Sequence, residues 1–347
     1  MIKKYKNFLI FFSSLLITLI FLELFLGYYF FQKQYTEPSA LWFVLNDKIS
    51  RYKGSNIDSG SYIETYDESN PFITFREDKG YKFHPFIDYS GAFSYTKNFT
   101  MDYFGFRNKE NLYFDFDRNY TLIILTGGSE AMGFTHEIAI AENLEKILNE
   151  KTGKKFRVLA FAMNSYTISN EINAYVNLAY HLKPEFVITH TGYNDMLYGL
   201  LVPYNFKKLG LNYNHFTLFW LPRLYNLIGY SGYRGYAINK KGHELIVDNF
   251  LLNLKKYEDI VSSNDGELLV GIQGYNKDYV NDGLIYKEVD LLYRELTDKS
   301  ASKGYTDFTK NKKIKYVDMV HSDENSSKLT AEEYAKKIID KLKNNSK

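Results

Sequence analysis

Three short apolar runs, separated by helix-like segments, constrain the fold of this chain more than any other feature. The runs cover residues 121–125, 156–163 and 186–189, and each consists mainly of β-branched, aliphatic or aromatic residues. Such runs are typical of strands that are buried on both faces of a parallel sheet. Helix-like segments lie between them, one ending near Gly153 and one covering residues 171–182. This alternation with short connections predicts an α/β domain with right-handed crossovers.

Further segments extend the pattern toward the C-terminus. Residues 244–262 and 330–342 are helix-like, and residues 267–272 form another strand-like run. We therefore predict one α/β domain over residues 118–347. In open α/β sheets, ligands bind beyond the carboxyl ends of the strands, so the residues that follow each strand are the first candidates for a functional site.

An aromatic-rich insertion interrupts this domain at residues 197–242. Aromatic side chains beside an α/β site suit a lid, a platform on which sugars stack, or a surface that rests on a membrane. A loop that packs its own small core explains the same composition equally well.

The first 31 residues indicate a membrane anchor. Residues 8–31 are apolar apart from five positions, one of which is Glu23. As a helix, this stretch would be about 36 Å long, which exceeds a bilayer core of roughly 30 Å. Three lysines lie in the preceding residues 1–7, whereas Lys33 is the one basic residue soon after the stretch. The positive-inside rule then leaves residues 1–7 in the cytoplasm and the body of the protein outside it, in the periplasm or at the cell surface.

Two alternatives to an anchor are a cleaved signal peptide and a buried helix of a soluble domain. Residues 28–31 are Tyr, Tyr, Phe and Phe, whereas a cleavage site needs small residues. The anchor is therefore the favoured interpretation, with the lipid bilayer as its partner.

Between the anchor and the α/β domain, residues 32–117 are polar and aromatic. Turn residues cluster at several points, among them residues 88–91, and alternating patterns at 92–95 and 99–103 predict short strands. We interpret this region as a tether followed by an irregular flank that contains some β-structure.

Charge and cysteine content exclude several classes of function. Among 347 residues, 43 are Lys or Arg and 41 are Asp or Glu, which gives a net charge of +2. A protein that binds nucleic acid through a large basic face is therefore not expected. The chain has no cysteine, so disulfides, thiolate metal sites and a cysteine nucleophile are all excluded.

Polar residues with catalytic potential follow the first and third predicted strands. Ser129, in Gly127-Gly128-Ser129, stands where a strand meets a helix, so its hydroxyl is exposed and its N–H lacks a partner within the helix. A plain helix N-cap has the same sequence pattern. Asn194, in the sequence Gly-Tyr-Asn-Asp, offers a neutral amide donor that can stabilise an oxyanion, although the tetrapeptide alone is a common turn.

Near the C-terminus, Asp318 and His321 are separated by two residues. This spacing lets the carboxylate fix the imidazole tautomer while the other ring nitrogen faces a serine. A lone Asp and His so arranged are more often a surface pair. Together with Ser129 and Asn194, however, they supply a nucleophile, a base, an orienting carboxylate and an oxyanion donor at one edge of a sheet.

These residues resemble the sequence blocks of the SGNH or GDSL hydrolases. Residues 127–129 are similar to the first block, which reads Gly-Gly-Ser in a membrane-anchored subset. Residues 192–195 are similar to the third block, Gly-x-Asn-Asp, and residues 318–321 to the fifth, Asp-x-x-His. Residues 105–107, Gly-Phe-Arg, are similar to the Gly-x-Arg that precedes the first strand in that subset.

The second block is where this chain departs from the family pattern. Alignment on Tyr166 and Thr167 puts Ser165 at the oxyanion glycine and Ala160 at the block's asparagine. Because the glycine contributes a backbone N–H, Ser165 can take its role only if its backbone conformation is tolerated.

The resemblance implies a flavodoxin-like three-layer α/β/α sandwich with a parallel sheet, and a serine esterase mechanism without metal or cofactor. The catalytic residues would be Ser129, Asp318 and His321. The oxyanion hole would comprise the N–H groups of Ser129 and Ser165 and the side-chain amide of Asn194.

The combined expectation is a membrane-anchored, extracytoplasmic esterase that removes O-acyl groups, in particular O-acetyl groups, from cell-envelope polysaccharide. The same triad would also serve an O-acyltransferase that modifies glycans. A third alternative is a protein that binds or assembles glycans on this fold without turnover.

Overall fold

The computed structural model describes residues 119–201, 240–278 and 284–344, together with 11–15, 17–18, 21, 82–84, 88–90, 102 and 104–108. Its centre is a five-stranded parallel sheet. The strands are β1 (Thr121–Gly127), β2 (Phe156–Ala162), β3 (Phe186–Thr191), β4 (Glu267–Ile272) and β5 (Thr306–Asp307). Their spatial order is β2-β1-β3-β4-β5, which is the flavodoxin-like order. The predicted α/β sheet is confirmed.

Seven helices accompany this sheet among the described residues. They are α1 (Ser129–Met132), α2 (Ile140–Thr152), α3 (Ile168–Ala174), α4 (Tyr193–Leu201), α5 (Lys240–Ser262), α6 (Leu284–Ser300) and α7 (Glu324–Asn344). Helices α2 and α7 pack against each other, while α5 packs against α3, α4 and α6. Because the crossover from β1 to β2 runs opposite to that from β2 to β3, right-handed connections put these two groups on opposite faces. The result is the expected three-layer sandwich.

The central strands are apolar along their whole length because helices cover both of their faces. Ile123, Ile124 and Leu125 of β1 are fully buried. In the strand register, Gly127 at the end of β1 lies opposite Ala162 on one side and His190 on the other. The carboxyl ends of β1, β2 and β3 are therefore level, and the segments that follow them meet at one edge.

Three helices begin earlier than the sequence predicts, and one of them is α5, which starts at Lys240 rather than 244. Helix α3 starts at Ile168, and its hydrogen-bond ladder changes to a π-turn at Tyr175–Ala179 and a 3₁₀-turn at Tyr180–Leu182. Helix α7 starts at Glu324 rather than 330. The Oδ1 atom of Asp323 accepts the Ser326 N–H at 2.9 Å, so a polar cap starts this helix before its apolar periodicity begins.

Helices α4 and α6 and strand β5 were not predicted. The buried residues of α6 include Val289, Leu292, Tyr293 and Leu296. Their spacing of three, one and three residues is the period of an amphipathic helix, so the sequence did carry this signal. Strand β5 has only two residues, which is too short for a periodic pattern.

The part of the structure before the α/β domain is described in pieces. Strands Lys82–His84 and Asp88–Ser90 pair antiparallel, so the turn predicted at 88–91 was wrong for most of its length. The predicted strands at 92–95 and 99–103 lie almost wholly outside the described residues, as does the aromatic insertion after Leu201.

Much of the predicted anchor also lies outside the described residues, and those within it at 11–15, 17–18 and 21 are helical. In the described part of the chain, no helix combines the length and apolar character needed to cross a membrane.

A compact loop covers the open edge of strand β2. The Asn108 side chain accepts the Ala160 N–H at 2.8 Å and donates to the Ala160 carbonyl at 3.0 Å, as a neighbouring strand would. Asp102 accepts the N–H groups of Phe104 and Phe106 at 2.9 and 3.0 Å. Ala160, which aligns with the asparagine of the second block, is thus contacted by Asn108 from elsewhere in the chain.

Candidate active site

Ser129, His321 and Asp318 form a continuous hydrogen-bonded chain at the carboxyl edge of the sheet. Ser129 Oγ lies 2.7 Å from His321 Nε2, and His321 Nδ1 lies 2.6 Å from Asp318 Oδ2. The serine is 192 residues from the histidine in sequence. The structure therefore brings together the three residues that the sequence singled out.

The nucleophile candidate is set by a tight turn between β1 and α1. Gly127 has a φ of 156°, and a Cβ there would lie 2.4 Å from the Ala131 Cβ and 2.5 Å from the His190 carbonyl oxygen. Only glycine therefore fits. Ser129 is the first residue of α1, so its N–H has no acceptor within that helix. The turn presents the hydroxyl and N–H of Ser129 together.

The Asp318 carboxylate fixes the conformation of the segment from Asp318 to His321. Asp318 Oδ1 accepts the N–H groups of Val320 and His321, both at 2.8 Å, while Oδ2 holds the imidazole. With its Nδ1–H donated to Asp318, His321 presents Nε2 as an acceptor to Ser129. The Phe134 ring lies beside the imidazole, with centroids 5.2 Å apart.

Asp318 is ionised in this arrangement. Burial raises its pKa, but the hydrogen bond from His321, the charge of that residue and two backbone N–H groups outweigh burial and bring the pKa below its usual value. A carboxylate that stays charged can stabilise an imidazolium as one forms.

The Asn194 amide contacts the residues next to the other two predicted oxyanion groups, Ser129 and Ser165. Asn194 Nδ2 donates to the Tyr166 carbonyl at 2.8 Å, and the same nitrogen lies 2.7 Å from where a Cβ on Gly128 would stand. An amide nitrogen carries two hydrogens, so one remains for a ligand. Ser165 has a φ of 63°, a conformation that favours glycine. Its N–H has no acceptor among the described residues.

Two carboxyl groups lie beneath the site. Asp195 accepts the Ile168 N–H at 3.1 Å, and Glu171 accepts the hydroxyls of Thr126 and Thr189 at 2.7 and 2.6 Å. Burial raises the pKa of Asp195 well above its usual value, and the neighbouring Glu171 raises it further. Burial also raises the pKa of Glu171. Asp195 thus binds the start of α3, and Glu171 joins α3 to strands β1 and β3.

Sequence reasoning missed Glu130, which immediately follows the serine. It is buried, and its carboxylate accepts both the N–H and the hydroxyl of Ser322. A glutamate after Ser129 looks like an ordinary helix residue in the sequence, so only the folded chain reveals this contact.

The remaining histidines near the blocks have structural partners. His190 lies under the sheet edge with Nδ1 2.8 Å from the Tyr334 hydroxyl, and burial lowers its pKa to about 4. His136 Nε2 lies 2.9 Å from the Ser322 carbonyl oxygen. Within the described residues, no cluster of three or more His, Asp or Glu residues is arranged to hold a metal, and metal-free chemistry stays a prediction.

Solved structures with a related chain path include an acetylxylan esterase from Geobacillus stearothermophilus (13% identical, TM-score 0.40), covering 63% of this chain and 94% of that one. A lipase/acylhydrolase from Enterococcus faecalis (13%, TM-score 0.39) covers 63% and 95%. A GDSL-like lipase from Bacteroides thetaiotaomicron (10%, TM-score 0.38) covers 64% and 89%. No protein-family model matches the chain, and no curated protein matches it in sequence.

Proposed function

We propose that this protein is a serine esterase in which Ser129 is the nucleophile, His321 the general base and Asp318 the orienting carboxylate. The observation that carries the proposal is the unbroken chain from the Asp318 carboxylate through the imidazole to the Ser129 hydroxyl. A serine hydroxyl is a weak nucleophile until an adjacent base takes its proton, and this arrangement supplies that base.

In the first half of the reaction, the proton of Ser129 Oγ passes to His321 Nε2 as Oγ attacks the ester carbonyl carbon. The resulting imidazolium is stabilised by ionised Asp318. The tetrahedral oxyanion is held by the N–H groups of Ser129 and Ser165 and by the free hydrogen of the Asn194 amide. The bond to the leaving oxygen then breaks, His321 gives its proton to that oxygen, and an acyl-enzyme and a free alcohol result.

In the second half, His321 removes a proton from water, and the hydroxide attacks the acyl-enzyme carbonyl through the same oxyanion hole. Collapse of this intermediate returns the proton to Ser129 Oγ and releases the carboxylic acid. No metal or cofactor takes part in these steps.

The proposed substrate is an O-acyl ester, in particular an O-acetyl ester, on a polysaccharide of the cell envelope. This follows from an anchor at residues 8–31 with the catalytic domain outside the cytoplasm, where envelope glycans carry such esters. Near neutrality of the chain as a whole also suits an uncharged acyl sugar, which needs no electrostatic attraction.

Helical residues within the anchor segment support its proposed role. Exposed apolar side chains there include Phe11, Phe12, Leu15, Ile17 and Phe21. The hydroxyls of Ser14 and Thr18 donate to helix carbonyls at 2.9 and 2.8 Å. Hydroxyls satisfied within their own helix are compatible with a hydrocarbon environment.

A fluorophosphonate probe tests the proposed nucleophile. We expect the full chain, purified in detergent, to acquire one mass adduct at Ser129 and to hydrolyse p-nitrophenyl acetate. The variants Ser129→Ala and His321→Ala should lose both properties while remaining folded by circular dichroism. Folded wild-type protein without an adduct would contradict the esterase proposal and favour a glycan-binding role.

A second measurement separates hydrolysis from transfer. Acetylated and bare oligosaccharides are supplied together, and free acetate and newly acetylated sugar are quantified. An esterase releases acetate as the main product. Acetyl groups that appear on the bare sugar faster than free acetate would reassign the protein as an acyltransferase.

A further inference from the structure

The residue that follows the nucleophile is bonded to the residue that follows the general base. Glu130 Oε2 accepts the Ser322 N–H at 2.9 Å, and Oε1 accepts the Ser322 hydroxyl. Glu130 and Ser322 are 3% and 1% exposed, so water does not compete for these bonds. Each partner is one peptide unit from a reacting side chain, so this contact links the segment that carries Ser129 to the segment that carries His321.

The other polar group of Ser322 is also fixed. Its carbonyl oxygen lies 3.0 Å from the Thr135 hydroxyl and 2.9 Å from His136 Nε2. Both of these residues belong to the loop that follows α1. The N–H and hydroxyl of Ser322 are thus bound by Glu130, and its carbonyl oxygen is bound by this loop. These contacts together restrict the position of Ser322.

Arg107 fixes that loop in turn. Its guanidinium donates to the carbonyl oxygens of Gly133, His136 and Glu137 at 2.6, 2.8 and 2.6 Å. The loop is therefore tied to the Gly-Phe-Arg segment that precedes β1, and it serves as a rigid support for Ser322.

We propose that Glu130 is a positioning residue that holds His321 within hydrogen-bonding distance of Ser129 by binding Ser322. This inference rests on the serine mechanism proposed above. A carboxylate suits the role because Ser322 presents two donors side by side, its N–H and its hydroxyl, and a carboxylate offers two acceptors. Glutamine keeps one oxygen for the Ser322 N–H, but the hydroxyl must turn and accept a hydrogen bond from the amide nitrogen. Two bonds to a charged group thereby become weaker neutral ones without a change in side-chain size.

The test compares p-nitrophenyl acetate kinetics of the full-length wild-type protein with those of Glu130→Gln, Ser322→Ala and the double variant. We expect kcat to fall at least about tenfold in Glu130→Gln, with KM within about twofold, because a displacement of 1 Å at a reacting group can cost as much as a hundredfold. The double variant should lose less than the sum of the two single losses, since both changes weaken the same Glu130–Ser322 contact.

Glu145→Gln is the matched control. Glu145 also accepts a backbone N–H, that of Val158 at 2.9 Å, and a side-chain donor, Arg157 at 3.0 Å. It joins α2 to the start of β2, away from the carboxyl edge of the sheet. We expect this variant to lower Tm without lowering kcat.

Three outcomes would overturn the inference. They are an unchanged kcat in folded Glu130→Gln, equal losses of kcat in Glu130→Gln and Glu145→Gln, and fully additive losses in the double variant. If Glu130→Gln does not fold, Glu130→Asp decides, because the shorter side chain withdraws the carboxylate from both donors of Ser322, and an unchanged kcat there refutes the role. Wild-type protein that takes no fluorophosphonate adduct at Ser129 would instead refute the serine mechanism, and the positioning role with it.

Discussion

At the scale of single residues, Ser165 combines an unfavourable backbone conformation with a proposed catalytic N–H. Its φ of 63° lies in the left-handed region, which costs a residue with a Cβ about 1 kcal/mol or more. The turn it forms is closed by the Tyr166 N–H, which donates to the Met163 carbonyl at 3.2 Å, and Asn194 binds the Tyr166 carbonyl. The strained residue is therefore held by contacts on its C-terminal side.

Substitutions at Ser165 separate backbone conformation from side-chain chemistry. We expect Ser165→Gly to keep kcat within about twofold and stability within about 0.5 kcal/mol, because relief of strain offsets the greater freedom of glycine in the unfolded chain. Ser165→Val should cost about 2 kcal/mol and lower kcat at least about tenfold, since a β-branched residue resists this φ. The measurements are chemical denaturation and p-nitrophenyl acetate kinetics.

Lys183 provides the control, because its φ of 46° is also positive. It follows the 3₁₀-turn after α3 and lies at the opposite end of the sheet from Ser129. Lys183→Val should lose stability and keep kcat. A Ser165→Val variant that keeps kcat would remove Ser165 from the oxyanion hole.

At the scale of elements, a hydrogen bond to Asp195 joins the start of α3 to the start of α4. Its carboxyl group accepts the N–H of Ile168, the first residue of α3, while Asp195 itself lies in the first turn of α4. Asn194 is the neighbouring residue, so this contact also fixes the height of its amide above the Ser165 turn. An apolar residue at 195 would leave the Ile168 N–H buried without an acceptor.

The raised pKa of Asp195 makes this contact sensitive to pH. The native state keeps a proton that the unfolded chain has lost above about pH 4, so native Asp195 binds more protons and stability falls as pH rises toward the raised pKa. Asp195→Asn removes this linkage and retains an acceptor for Ile168. We expect the Tm of the variant to rise relative to that of wild type as pH increases. The difference in the free energy of unfolding between the two proteins should change by at most about 1.4 kcal/mol per pH unit.

Thermal unfolding over a series of pH values measures this difference. A constant difference between Asp195→Asn and wild type would show that Asp195 is ionised in the native state.

At the scale of the whole molecule, the sequence predicted the features that depend on local pattern. Strand β4 was predicted with its observed bounds, Glu267–Ile272, because a buried strand is a continuous apolar run. The juxtaposition of Ser129 with His321 followed from a family resemblance and from the rule that sites lie at strand ends. The Glu130–Ser322 contact could not be predicted, because it joins residues 192 positions apart and neither type is unusual in its local context.

The absence of cysteine makes the orientation of the whole molecule directly testable. A single introduced cysteine is the only thiol in the chain, so a membrane-impermeant maleimide reports on one position at a time. Tyr5→Cys probes the segment before the proposed anchor, and Lys154→Cys probes an exposed position between α2 and β2. Neither change alters the lysines that set orientation under the positive-inside rule.

In spheroplasts that express each full-length variant, we expect the maleimide to label Lys154→Cys at once and Tyr5→Cys only after the membrane is permeabilised. Removal of Lys3, Lys4 and Lys6 together should reduce this asymmetry, because the charge difference across the anchor would be lost. Labelling of Tyr5→Cys and protection of Lys154→Cys in sealed spheroplasts would put the catalytic domain in the cytoplasm. Envelope polysaccharide would then be out of reach of Ser129, and the proposed substrate class would have to be abandoned even if the esterase chemistry held.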